Sequence, residues 1–262
     1  MCLVPRLSLV VYKMTTSKRI IDSFDFPRRM IIGGKYEVVD HLGSGWEGEV
    51  YKIVEINTGI ERAAKFFFPH RNRDNKVAAR YAKMLHKLSS CAIIIQYYTH
   101  EFVQVDGQRI TGLISEYVDG ELLSTFIKRQ PDRRIGVFRG LHLLHALAKG
   151  LESMHALRAY HGDLHAENII IKRVGLGFEL KLLDMHHWGG NDRKANMDED
   201  ICDSIRLFYD AIGGKRYYAI QPPEVKQLCL GLKKSLINKK FRSAAHLRHY
   251  LENIEWKSQY RE

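Results

Sequence analysis

The chain changes its hydrophobic period near Asp119-Gly120, and that change limits the folds open to it. Ahead of it, apolar residues alternate or run in short blocks: Y-E-V-V-D-H-L from Tyr36, V-Y-K-I-V-E-I from Val50, a turn at Asn57-Thr58-Gly59, and A-A-K-F-F-F ending at Pro69. Such blocks predict a three-strand meander. Val77 to Leu88 places Ala, Met and Leu at helical spacing, and strands are predicted again around Ala92 to Tyr98, Glu101 to Val105 and Arg109 to Glu116. Beyond Gly120 the period becomes helical, and Gly136 to Leu157 sets Leu141, Leu144, Leu147, Leu151 and Met154 on one broad face. Two short apolar strands, Asn168 to Lys172 and Phe178 to Leu183, interrupt the helical remainder around a turn with Gly175 and Gly177. The pattern predicts an α+β, bilobal chain: an extension at 1–34, a strand-rich N-lobe with one main helix at 35–116, a connector at 117–120 and a mostly helical C-lobe at 121–262.

With 262 residues, 45% of them hydrophobic, the chain can bury a sizeable core. Its 41 Lys and Arg against 30 Asp and Glu leave a net charge of +11, which favours an anionic partner such as a nucleotide, a nucleic acid or acidic lipid headgroups. The basic pairs Lys233-Lys234 and Lys239-Lys240 read as a solvated helix face rather than a nucleic-acid site. Cys2, Cys91, Cys202 and Cys229 are scattered with no CxxC pair, which argues against a disulfide framework or zinc knuckle and suits a reduced, cytoplasmic setting. Leu3 to Val11 is interrupted by Pro5 and Arg6 and is too short to span a bilayer, no cleavage site follows it, and Met14 serves equally well as a start. Nothing in the sequence specifies an oligomer.

Four places carry groups that could do chemistry. Gly43 to Val50, G-S-G-W-E-G-E-V, lies between two predicted strands, where glycines let a hairpin tip approach phosphates with its backbone N–H groups; the plain alternative is a tight turn. Lys65 sits in the apolar run A-A-K-F-F-F on the following strand, beneath that hairpin, where an ammonium must snorkel or meet an anion. Y-H-G-D-L-H-A-E-N puts Asp163 and Asn168 on a short loop, and Asp184 ends an apolar strand, where a carboxylate needs a partner such as Mg²⁺. His161, His165, His186 and His187 admit a transition-metal reading, but a loop does not impose the one-face geometry of a helical histidine pair.

In order and spacing, Gly43/Gly45/Gly48, Lys65, the H-x-D-x-x-x-x-N of His161 to Asn168, and Asp184 resemble the protein-kinase-like superfamily over roughly Tyr36 to Ile254. The resemblance implies an ATP- and Mg²⁺-dependent phosphotransferase. Gly43, Ser44, Gly45, Trp46, Gly48 and Val50 would cover the nucleotide, Trp46 being either a lid or a solvent-facing ring. Lys65 would bind the α/β-phosphates, Asp163 would orient and deprotonate the acceptor, and Asn168 and Asp184 would hold Mg²⁺. In I-S-E-Y-V-D-G, Ser115 resembles the gatekeeper and Glu116 to Val118 the adenine hinge. His161 would be structural, Asp200 would begin the central C-lobe helix, and Arg242 would lie in the final arginine segment. The implied activity is that of an atypical serine/threonine protein kinase acting on a protein hydroxyl.

Several positions depart from the family pattern. The helix from Lys76 to Ser90 has no acid to pair with Lys65: register on Met84-Leu85 puts Tyr81 there, with Asp74 and Asp184 as alternatives. Gly162 replaces the loop arginine, Asp184-Met185-His186 replaces D-F-G, and the stretch from Asp184 to Asp200 is too short for an activation segment with an Ala-Pro-Glu, so a phosphorylation switch there is not expected. His165 takes the place where Ser/Thr kinases commonly carry Lys. H-G-D-L-H-x-x-N also resembles aminoglycoside and choline phosphotransferases, but Val118 to His161 leaves no room for their insertion. A pseudokinase that binds nucleotide without turnover is the third reading.

Overall fold

The computed structural model describes residues 20–175, 177–185 and 192–256. A six-stranded antiparallel sheet forms the N-lobe in the order β1-β2-β3-β4-β6-β5, built from β1 (Ile31–Ile32), β2 (Tyr36–Ser44), β3 (Gly48–Glu55), β4 (Glu61–Phe67), β5 (Tyr97–Val105) and β6 (Gln108–Glu116). Helix α1 (Lys76–Lys87) crosses it. Its Ala78 N–H donates to Asn72 Oδ1 at 3.1 Å, and Ala78, Tyr81 and Leu85 form its buried stripe. In the C-lobe, β7 (Glu121–Leu122), β8 (Ile169–Val174) and β9 (Gly177–Leu182) make a small sheet, and α2 (Leu123–Lys128) follows β7.

The rest of the C-lobe is helical: α3 (Val137–Ala156), α4 (Arg193–Ala211), α5 (Gly214–Tyr218), α6 (Pro223–Cys229), α7 (Lys234–Lys240) and α8 (Ala244–Glu252). Helix α3 is its axis: Leu144, Leu147, Leu151 and Met154 have no exposed surface, and the helix packs against α4, α8 and β9. Helix α4 is capped by Asp192, whose Oδ1 accepts from Ala195 N–H at 2.9 Å. It therefore does not begin at Asp200, which lies mid-helix and wholly buried. The sequence hides the helix start, because R-K-A-N-M-D-E-D carries no apolar stripe.

Two other expectations are corrected. Ala92 to Gln96 is not a strand of the sheet but a turn with Ile93 to Ile95 buried, tied to the C-lobe by a single bridge of Ile94 to Leu182 and by Leu182 N–H donating to Ile93 O at 2.8 Å. A short apolar run buried on every side, as Ile93, Ile94 and Ile95 are, has no period by which to tell a strand from a turn. The sheet gains a strand ahead of β2, because Ile31–Ile32 of the supposed extension pairs with it. From Ile20 onward that segment covers the outer face of the sheet, where Ile21, Phe24, Phe26 and Ile32 pack with Tyr51, Phe66 and Phe68. Phe26 stands edge-on to Phe66 at 5.0 Å, and its N–H donates to Tyr51 Oη at 3.2 Å.

Candidate active site

A cleft of about 630 Å³ opens between the lobes. Its roof is the β2–β3 hairpin, lined by Gly43, Ser44, Gly45, Trp46, Gly48 and Val50; its back is Lys65, its hinge side Glu116 to Val118, and its floor Asp163, Asn168 and Asp184. Val50 stands opposite Lys65 in the β3–β4 ladder, so alternation along β4 aims the lysine beneath the hairpin. A Cβ on Gly43 or Gly45 would meet nothing within 4 Å, leaving backbone free to face a ligand. Gly48 has a different reason: a Cβ there would lie 1.8 Å from Phe66 O, so only glycine admits the close pairing with β4.

Lys65 is partly buried and donates to Asp184 Oδ1 at 2.6 Å and to Glu47 Oε2 at 3.0 Å. Burial pushes its pKa down, but the Asp184 and Glu47 carboxylates more than offset this, and it ends above the ordinary lysine value. Tyr81 does stand where α1 faces the lysine, its ring centroid 5.1 Å from Nζ. Burial and the Asp184 charge raise its hydroxyl pKa, so it is a neutral neighbour. Asp74 is exposed and pairs with Lys76 at 3.2 Å, so of the two alternatives Asp184 is the partner. Glu47 escaped sequence reasoning. Its only signal is an acid within the glycine hairpin of a chain whose α1 has none.

The catalytic-loop candidate is held from below. Asp200 accepts from His161 N–H at 2.8 Å and Gly162 N–H at 2.9 Å, and its Oδ2 lies 3.0 Å from His155 Nε2. Gly162 has φ +77, a left-handed conformation that glycine takes without strain. His161 is fully buried with Nε2 2.8 Å from Leu183 O, and burial lowers its pKa, so it is a neutral support. Asn168 Nδ2 donates to Asp163 O at 2.9 Å and lies 2.9 Å from His165 Nε2, while Leu183 N–H donates to Asn168 O at 2.8 Å. This network brings Asp163, Asn168 and the start of the Asp184 segment together on the cleft floor, where the Asp184 carboxylate is half-exposed.

An amide oxygen beside a carboxylate is a hard donor set that fits Mg²⁺. Among the described residues no group of three or more His, Cys, Asp or Glu could hold a metal, and His186 and His187 lie outside them. Ser115 is buried at the back of the cleft. Glu116 is pinned, its N–H donating to Gln96 O at 2.8 Å and its carboxylate accepting from Lys181 Nζ at 2.8 Å. Trp46 is 73% exposed, and Arg71 stacks on its ring at 3.2 Å.

A sequence model of the protein kinase domain matches residues 36–218. The chain belongs to the protein kinase domain family. Among its relatives, the serine/threonine-protein kinase pkn2 of Myxococcus xanthus is 28% identical over 158 residues, covering 60% of this chain and 18% of that protein. A probable serine/threonine-protein kinase of Streptomyces coelicolor is 30% identical over 161 residues, covering 60% of this chain and 23% of its own length. The kinase chain thus spans less than a quarter of these relatives. A solved structure of the Mycobacterium tuberculosis PknI kinase domain, a double mutant, superposes with a TM-score of 0.62 at 19% identity, covering 87% of this chain and 97% of that one. This likeness supports the bilobal α+β kinase fold. No helix among the described residues is long and apolar enough to cross a membrane.

Proposed function

We propose that the chain is an atypical serine/threonine protein kinase that transfers the γ-phosphoryl group of ATP, with Mg²⁺, to a hydroxyl of a protein. The observation that carries this reading is the convergence of Lys65, Asp163, Asn168 and Asp184 on one cleft beneath the glycine hairpin. The hinge at Glu116 to Val118 would take the adenine. Lys65 would neutralise phosphate charge, and Asp163 would accept the proton of the acceptor hydroxyl and orient its oxygen. Asn168 and Asp184 would hold Mg²⁺, which when bound stabilises charge on the transferring group. Rate enhancement would come mainly from positioning and charge stabilisation. The buried free thiols Cys91, Cys202 and Cys229 suit a reducing, cytoplasmic setting.

A second reading, nucleotide binding without turnover, is favoured by Tyr81 standing where the family carries an acid. Incubation with γ-labelled ATP, Mg²⁺ and candidate proteins separates the two, with Asp163→Ala as the comparison. Loss of about 10²–10⁴-fold in the variant supports a general base. Equal labelling by both chains would sink the enzyme reading, and labelling only of added aminoglycosides or choline would transfer it to small-molecule kinases.

A further inference from the structure

The Glu47 carboxylate hangs from the glycine hairpin and accepts from Lys65 Nζ at 3.0 Å, while Asp184 accepts from the same ammonium at 2.6 Å. A phosphate held jointly by the hairpin backbone and Lys65 must come between the two, and the carboxylate of Glu47 lies on that ground. The hairpin is strapped in this position. Phe68 N–H donates to Glu47 O at 2.8 Å, Gly45 N–H donates to Gly48 O at 2.8 Å across the tip, and Arg71 stacks on Trp46 from outside. Helix α1 contributes the neutral Tyr81 in place of an acid that could hold the lysine from away from the phosphate path. One ammonium thus faces two carboxylates before any phosphate arrives. The Lys65 side chain is only 13% exposed, so solvent screens their charges poorly.

Resting on the reading of this cleft as a nucleotide site, we propose that Glu47 is an internal stand-in for nucleotide phosphate. Its carboxylate holds Lys65 and is exchanged for the phosphates of a nucleoside di- or triphosphate, and so sets how strongly the cleft prefers nucleotides to the bare nucleoside. Adenosine carries no phosphate and has no reason to displace Glu47, whereas ADP must. Replacing the carboxylate by an amide keeps a side chain of the same shape at an exposed hairpin tip and removes only the competing charge.

The test is calorimetric titration of the full chain, wild type and Glu47→Gln, with ADP and with adenosine. The expected result is that Glu47→Gln binds ADP on the order of tenfold more tightly while adenosine affinity is unchanged. No gain for ADP, a loss for ADP, or an equal gain for both ligands would overturn the proposal. A wild type that binds neither ligand overturns the nucleotide reading of the cleft and this inference with it. A wild type that binds ADP beside a variant that gains nothing overturns the role of Glu47 alone.

Discussion

Asp200 has no exposed surface, yet it carries the geometry of the catalytic-loop candidate through the backbone N–H groups of His161 and Gly162. Asp200→Ala removes the acceptor of the buried His161 N–H and of the half-buried Gly162 N–H, at about 1–3 kcal/mol for each buried donor, so a loss on the order of 2–5 kcal/mol is expected in urea unfolding. Asp200→Asn keeps one acceptor oxygen and should lose less. Three residues further along α4, burial and the neighbouring Glu199 charge raise the Asp203 carboxyl from 3.8 to about 6. Between those values the folded chain holds a proton that the unfolded chain has released. Stability therefore falls as pH rises through that window, and the penalty is fully present at pH 7. Asp203→Asn should flatten the slope and raise stability at pH 7 by on the order of 1 kcal/mol, discounted for partial exposure, as read from urea midpoints between pH 4 and 7.

At the scale of elements, the segment ahead of β2 and the glycine hairpin make the clearest claims. Phe24 and Phe26 seal the outer face of the sheet. Phe26→Ala should cost about 3–5 kcal/mol in denaturant unfolding, and a surface substitution such as Ile20→Ala almost nothing. Gly48→Ala would drive a Cβ into the Phe66 carbonyl, so the hairpin must lift from β4; adenosine and ADP affinity should both drop, unlike the phosphate-selective effect at Glu47. Strands β2 to β4 were legible because a half-buried strand alternates its side chains, and α3 because its buried stripe repeats at helical spacing. The run Ile93 to Ile95 is not, since burial on all sides erases periodicity. Ile21, Phe24 and Phe26 give no such signal, because the surface they cover is assembled from strands far along the chain.

For the whole molecule, the core is continuous across the cleft. Phe67, Leu85 and Leu113 of the N-lobe pack in one cluster with Leu164, Leu182 and Met185 of the C-lobe. A single cooperative transition is expected, with tryptophan fluorescence and far-ultraviolet circular dichroism giving coincident denaturant midpoints; separated midpoints would show lobes that unfold independently. The α+β class, the order of hairpin, lysine, loop and aspartate, and their assignment to strand or loop were all determined along the chain. Period and spacing are local properties of contiguous residues, and a linear reading captures them. The partners of Lys65 were left to packing. The sequence showed that α1 lacks an acid, but the choice of Asp184 over Asp74, and the arrival of Glu47 from the roof, depend on strand register, the hairpin's turn and the seating of β9 beneath the sheet. Those displacements add up over many residues, and the last few ångströms that decide an ion pair emerge only once the whole core has closed.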